Sequence, residues 1–311
     1  MPPTVDDGGE RLPVESSPGT GAGRIAKPVE VGCFARRGDE VTWGEAARGQ
    51  LRRYREPCPP LDLNEGFASF VPKRRGVTNL LPEQAFERFG GSAYDVVTYR
   101  NNLNKICGTP YNNNEPWEIG VRRCRDGRLD LSVRSSQAQQ QVDAQTYYGY
   151  AFEAACCGDP LAGIDANDEF VVCIRLKVGR HMLFVAAEVD CIDDHHNYVE
   201  LKTHRLLEAR HHAKSFERFK LLKCWIQSYL AGVPTIVFGF KDESGGVQKL
   251  QTFRTTDLPS FTTAWSPQTA LGFLERTLDF LRTSLAEDAG DDADFRLAYD
   301  PAARLLVLEP L

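Results

Sequence analysis

The sequence has no run approaching the roughly 18 consecutive apolar residues that a membrane-spanning helix needs, so no membrane partner is expected. It has no Cys-x-x-Cys pair. Its nine cysteines are an odd number, and Cys156 and Cys157 are adjacent. That pattern argues against a disulfide framework or a four-cysteine zinc site, and for reduced thiols in an intracellular setting, nucleus or cytoplasm. The opening stretch MPPTVDDGGERLPVESSPGTGAGR has no apolar segment of the kind a secretory signal carries. Its Pro, Gly, Ser and acid content reads as a disordered tail over residues 1–27. No internal repeat is visible. The glycine-bearing stretches GAG (21–23) and ESGG (243–246) lack the strand-then-helix context of a phosphate loop or a dinucleotide site and read as loops.

What remains is the composition of a globular chain with a sizeable core: 311 residues, 42% hydrophobic and 26% charged. A net charge of −6 does not suit a nucleic-acid binder, but its distribution matters more than its sum. Five acids sit in the run EDAGDDAD, Glu287 to Asp294, which reads as an acidic loop at about 286–294. Basic residues cluster elsewhere: Arg52, Arg53 and Arg55; Lys73, Arg74 and Arg75; Arg122, Arg123, Arg125 and Arg128. Each cluster alone reads as a solvated face; together they permit a local phosphate track.

Residues 28–311 read as one domain. Short strands and turns fill 28–80, and LPEQAFERFG (81–90) is helical up to its paired glycines. DVVTYRNNLNKIC (95–107) fits strand or helix, and GTPYNNNEP (108–116) is turn chemistry. A hairpin is expected around Asp126–Gly127, a helix over 135–157, then strands at 169–176, 181–192 and 198–204 with DDHHN (193–197) as the break between the last two. Residues 214–234 form the clearest helix, with Phe216, Phe219, Leu222, Trp225 and Ile226 on one apolar face and Gly232 and Pro234 as its stop. A second helix is expected over 267–285 and a hairpin closes the chain. Strands, helix, strands, helix, strands predict an α+β domain with mixed and antiparallel sheets.

Within this frame, YGYAFE (148–153), AAEVDC (186–191) and YVELKTH (198–204) carry acids among apolar neighbours. Residues i and i+2 of a strand share a face, so Glu188 pairs with Asp190 and Glu200 with Lys202. Were the two strands to pair across DDHHN, both pairs would meet on one face. Acids there are costly without compensation, and a divalent cation with hard oxygen ligands is the natural one. Lys202 would set a positive charge beside it, able to orient water or a phosphate oxygen. This is the logic of metal-dependent phosphodiester cleavage. An edge network pairing the acids with Lys202, Arg175 and Lys177 is the structural alternative. His195–His196 and His211–His212 read as solvated loop residues rather than zinc ligands. Cys191 reads as core, and most of Tyr147, Tyr148, Tyr150 and Phe152 likewise. The face formed by Lys220, Lys223 and Gln227 could meet RNA, although surface lysines are the default.

The segment KLLKCWIQSYLAGVPTIVFGFKD (220–242), with TYR (98–100), GYAFE (149–153), EVD (188–190) and ELK (200–202) before it in order, resembles the DXO family of eukaryotic 5′-end RNA decapping nucleases. PVEVGCF and the LNEGFASFVPK region resemble the family's N-terminal segment, and the likeness covers roughly residues 28 to 265. The resemblance implies two β-sheets with flanking helices around a PD-(D/E)XK-like core, with an active-site cleft between the sheets. It implies that Glu153, Glu188, Asp190 and Glu200, with the backbone carbonyl of Leu201, ligate one or two Mg²⁺ or Mn²⁺ ions. Lys202 and Gln227 would contact the scissile phosphate or the attacking water, and Arg100 would hold RNA phosphates. The implied activity is removal of unmethylated guanosine caps, 5′ triphosphates or nicotinamide-dinucleotide caps from RNA, with 5′-to-3′ exoribonuclease activity in some members. Two alternatives are a stabilising partner of a larger 5′-to-3′ exoribonuclease and a DNA nuclease of the same core type.

Overall fold

A computed structural model gives the structure of residues 9–15, 25–74, 81–91, 93–133, 143–285 and 292–311. Parts of the expected tail (1–8 and 16–24), residues 135–142 of the expected 135–157 helix, Arg75 and residues 286–291 of the acidic run lie outside the described residues. In chain order the elements are β1 (Glu10–Pro13), β2 (Val29–Arg37), β3 (Glu40–Trp43), α1 (Glu45–Arg48), β4 (Leu61–Asp62), α2 (Leu81–Phe89), β5 (Val96–Tyr99), α3 (Arg100–Gly108), β6 (Trp117–Arg123), β7 (Leu129–Val133), α4 (Ala144–Cys157), β8 (Glu169–Val178), β9 (His181–Glu188), β10 (Cys191–Ile192), β11 (Tyr198–Arg205), α5 (Arg210–Ser215), α6 (Leu221–Ala231), β12 (Thr235–Lys241), β13 (Gly246–Arg254), α7 (Pro267–Ser284), β14 (Ala293–Asp300) and β15 (Leu305–Pro310).

The strands make two sheets. Ten are ordered β1-β15-β14-β6-β7-β5-β9-β8-β2-β3, and five are ordered β10-β11-β12-β13-β4. Most pairs are antiparallel; β5 runs parallel to both β7 and β9, and β11 runs parallel to β12. The alternation along each strand sorts side chains into layers. In β8 and β9, Val172, Ile174, Leu183 and Val185 join the main core with residues of α3, α6 and α7, while Cys173, Phe184 and Ala186 face the other way toward Ala85 of α2. In the smaller sheet, Ile236 and Phe238 face the same central core, and Val199, Leu201 and Val237 face Tyr148 and Phe152 of α4. The layers therefore run α2, large sheet, central helices, small sheet, α4. The α+β expectation with two sheets holds.

Three differences from the sequence reading have physical causes. The tail region contains β1, which covers the edge of β15 through the pairs Glu10↔Leu308 to Pro13↔Leu305, and Ile25 bridges Val178; an open strand edge supplies backbone groups that even four residues can satisfy. The strand expected over 181–192 ends at Glu188, so β9 and β11 lie in different sheets and only Cys191↔Val199 and Ile192↔Tyr198 pair across DDHHN. The helix expected over 214–234 begins at Arg210 and contains a π turn at Phe216–Lys220. Such a turn adds residues to a helical repeat and rotates the residues after it. Phe219, placed on the apolar face by 3.6-residue spacing, is 49% exposed, while Phe216, Leu222, Trp225 and Ile226 are buried. The helix stops as its sequence predicts: Gly232 has φ 71°, and Val233 N donates to Ser228 O at 2.9 Å.

One glycine keeps the small sheet and α4 in contact. A Cβ at Gly239 on β12 would lie 2.5 Å from the Phe152 ring, beside Glu153. Gly239→Ala is expected to lower stability by about 1–3 kcal/mol through overpacking, read as a lower urea midpoint. Combined with Phe152→Leu, the two changes are expected to cost less than the sum of their separate effects.

Candidate active site

The step from Val189 to Asp190 carries the chain out of the large sheet and into the small one. It leaves Glu188 at the end of β9 and turns Asp190 toward β11, where its Oδ2 accepts the Leu201 N–H at 2.6 Å. On β11, Val199 and Leu201 pack under α4. Alternation then points Glu200 and Lys202 to the opposite face, into the layer between the sheets. Glu200 is 0% exposed. Its Oε1 accepts hydrogen bonds from Lys202 Nζ and from Gln227 Nε2 of α6. Its Oε2 has no hydrogen-bond partner, with Arg100 Nη1 at 3.9 Å. Arg100, first residue of α3, is itself buried and donates to the Gln227 backbone carbonyl at 3.4 Å. Glu153 comes from α4, whose start is capped by the Asp143 side chain accepting from Thr146 N at 2.8 Å.

The electrostatics are those of crowded acids. Burial, then repulsion from Glu200, pushes the Asp190 carboxyl well above its ordinary value. Burial pushes Glu153 up to about 7 despite Arg52 and Lys202. Burial disfavours the Lys202 charge, but Glu200 and Asp190 more than offset it and hold the ammonium protonated above its usual range. Lys220 has the opposite fate: burial, with Lys202 nearby, lowers it, and it is not a free surface lysine.

The structure thus brings Asp190, Glu200, Lys202, Gln227 and Arg100 into direct or near contact, with Glu153 and Glu188 on a second rim. Arg100 faces Glu200 from inside the protein rather than lying on an open phosphate track. Two groups escaped sequence reasoning. Arg52 donates to Glu153 Oε2 at 3.2 Å, and Lys73 sits 3.0 Å from Glu169 and 3.8 Å from Glu188. Both lie in the basic clusters, but which member turns inward is set by tertiary pairing: Ile192 N donates to Arg52 O at 3.0 Å, and Val71 bridges Asp165. Glu169, which burial also raises, is the fifth acid of the group. The third basic cluster is neutralised locally, with Arg122 on Asp294 at 3.2 Å and Arg125 on Asp292 at 2.7 Å. Cys191 is core, with its Sγ 3.7 Å from Val199 O. Tyr147, Tyr148 and Phe152 are buried, and Tyr150 lines the cavity beside Glu153.

A divalent cation fits this donor set on two observations. Glu200 presents a buried oxygen without a hydrogen bond, and burial raises both Glu153 and Asp190, with Glu188 adding to the first and Glu200 and Glu153 to the second. The residues are hard oxygen donors of the kind Mg²⁺ and Mn²⁺ take. Among the described residues no three acid, His or Cys side chains already stand at metal-ligating spacing; each acid is held by its own cation or backbone donor instead.

Comparison with known proteins agrees with this geometry. The family model described as RAI1 like PD-(D/E)XK nuclease matches residues 26–309. The decapping and exoribonuclease protein of Bos taurus is 31% identical over 315 residues, covering 88% of this chain and 77% of its own. The decapping nuclease RAI1 of Emericella nidulans is 29% identical over 301 residues, covering 85% and 83%. The crystal structure of Candida albicans Rai1 in complex with pU5-Mn²⁺ superposes with a TM-score of 0.79 at 23% identity over 97% of this chain and 93% of that one; at that identity it speaks for the fold. Two sheets holding an acid, a second acid pair and a Glu-x-Lys strand define a PD-(D/E)XK nuclease, a hydrolase of phosphoric esters. Within that class the chain belongs to the RAI1-like family.

The raised carboxyls set a pH dependence. In the window between an acid's ordinary value and its raised one, the folded state binds more protons than the unfolded, so stability falls as pH rises. With Glu153 at about 7, its contribution is complete near pH 4.5 and lost by about pH 8. His204 and His212, lowered by burial, act in the opposite sense. The acid part is therefore read as a difference: between about pH 5.5 and 8 in EDTA, wild type is expected to lose on the order of 1–3 kcal/mol relative to Glu153→Gln. Added Mn²⁺ should shrink that difference. Parallel urea midpoints for the two proteins across the window would contradict the assignment.

Proposed function

We propose that this protein hydrolyses phosphoric ester and anhydride bonds at RNA 5′ ends, removing unmethylated guanosine caps, 5′ triphosphates or nicotinamide-dinucleotide caps, and degrading RNA 5′-to-3′ from a 5′ monophosphate. The observation that carries this reading is Glu200, a fully buried carboxylate clamped on one oxygen by Lys202 and Gln227 and without a hydrogen bond on the other. A purely structural acid would have both oxygens satisfied. The names of the relatives supply the substrate class, and the manganese and pU5 of the Candida albicans complex supply the metal class.

Glu153, Glu188, Asp190 and Glu200, with the Leu201 carbonyl, would hold one or two Mg²⁺ or Mn²⁺ ions. Such an ion, when bound, lowers the pKa of water and braces charge on phosphorus. The chain's own groups do the rest. Lys202, protonated throughout the working range, places a fixed positive charge where a phosphate oxygen gains negative charge. The Gln227 amide, hydrogen-bonded to Glu200, would contact the attacking water or the scissile phosphate. Arg100 sets a positive charge beside Glu200 from the buried side. All the proposed substrates present the same phosphorus chemistry and differ only in the leaving group, so specificity lies in the walls of the site. A larger 5′-to-3′ exoribonuclease as protein partner belongs to this proposal and rests on the family resemblance; an intracellular address, nucleus or cytoplasm, rests on the cysteine pattern.

The test is incubation with 5′-triphosphate, guanosine-capped, nicotinamide-dinucleotide-capped and 5′-monophosphate RNAs, with matched DNA as control. Release of the 5′ group should need Mg²⁺ or Mn²⁺, stop in EDTA, and fall by at least about 10²-fold in Glu200→Gln and in Lys202→Met. Turnover that survives either substitution, or a preference for DNA, would overturn the reading.

A further inference from the structure

Two cavities flank the site, one at Glu153, Glu188 and Asp190 and one at Gln227, and they differ in charge. The smaller, about 300 Å³, is walled by Glu153, Glu188 and Asp190 and by further acids of the 159–169 segment, seven carboxylates against Arg37 and Arg52. The larger, about 730 Å³, lies between α3 and α6 and reaches the site at Gln227. Its ionisable walls are three cations, Lys105, Arg218 and Lys223, against the single acid Glu115. Its floor is Leu222 and Ile226, both buried. At its mouth stands Phe219, turned outward by the π turn, with the Arg218 guanidinium over its ring at 5.0 Å. Amides line the opposite wall. Among them Asn104 has a buried Oδ1 with no hydrogen-bond partner, and Asn101 and Asn114 are exposed.

Without bound cations to screen them, seven carboxylates repel a polyanion; that side suits cations. The other cavity offers what single-stranded nucleic acid requires: cations for phosphates, an exposed aromatic face for a base, and amides for base edges. We propose that the α3–α6 cavity holds the RNA chain as it leaves the scissile phosphate, with Lys223 and Arg218 on its phosphates and Phe219 stacked on a base. This rests on the proposed 5′-end hydrolysis and adds the path of the substrate. It also gives the exposed Phe219 a physical reason: a ring removed from the core by one π turn and set beside a cation is a stacking platform rather than a folding error.

The experiment uses the full chain with two exposed-residue variants, Phe219→Ala and Lys223→Glu, and has two readouts. The first is fluorescence anisotropy of a 3′-labelled oligouridylate in EDTA, which needs no turnover. Each variant should weaken binding roughly ten-fold, and Lys223→Glu should flatten the slope of log affinity against log salt by about 0.7 or more. The second is kcat/KM with Mn²⁺ for a long 5′-triphosphate RNA relative to a 5′-triphosphate dinucleotide. That ratio should fall in both variants. Wild-type affinity in both variants, or equal losses on the long and short substrates, overturns the proposal. Weakened anisotropy in a protein that hydrolyses no RNA end would uphold the cavity's role while sinking the catalytic reading; hydrolysis with unaltered anisotropy would do the reverse.

Discussion

Burying one carboxylate constrains much of this molecule. An ionised acid with no solvent exposure costs several kcal/mol unless its oxygens are met by charge or donors, and Glu200 is such a group. Its partners are drawn from every element around it: Lys202 two residues along the same strand, Gln227 from the crossover helix, Arg100 from the start of α3. Each partner has a reason to be where it is that traces back to this acid. Arg100 sits where β5 becomes α3, so the switch from strand to helix at Tyr99 delivers a guanidinium to the inter-sheet layer. The parallel pairing of β11 with β12 requires a crossover, and the crossover helix carries Gln227. Even so, the arrangement stops one donor short, since Glu200 Oε2 has no hydrogen bond. A fold optimised for stability alone would have closed that gap.

The same accounting extends outward. Glu153 is paired with Arg52 and Glu188 with Lys73, so each of these acids has a side-chain cation beside it. These pairs are partly exposed and weak, as surface pairs are, which leaves the acids free to exchange partners. The two cavities differ in sign, one walled mainly by carboxylates and the other mainly by cations, and Gln227, which lines the second, is hydrogen-bonded to the buried Glu200.

Much of this architecture is legible in the sequence. Strand periodicity places Glu200 and Lys202 on one face, and the glycine stop and following proline end α6 at the right residue. The order of the TYR, GYAFE, EVD and ELK motifs indicates the family. Three things are not legible, for identifiable reasons. Local pattern shows that Glu188 and Asp190 alternate with apolar neighbours, but not that a strand leaves its sheet between them. A π turn has no marker in the 3.6-residue spacing it interrupts, so that spacing puts Phe219 on the wrong face. Arg52 and Lys73 look like any member of a basic cluster, because what turns them inward is backbone pairing with segments more than ninety residues away in sequence, at Ile192 and Asp165.

The position of β12 in the chain has a consequence for synthesis. By the time Lys241 has left the ribosome, every side chain proposed to act in the chemistry has been made: Arg100, Glu153, Glu188, Asp190, Glu200, Lys202 and Gln227. The later elements β13, α7, β14 and β15 add a further strand to the small sheet, a helix against α3, and the strands that connect β1 to β6 in the large sheet. The nascent chain therefore holds the complete set of crowded acids, with the cations paired to them, before β13, α7, β14 and β15 exist. A domain generally folds as a unit, and α7 packs on α3, whose first residue is Arg100, so a chain cut short after β12 lacks part of the packing that supports that guanidinium.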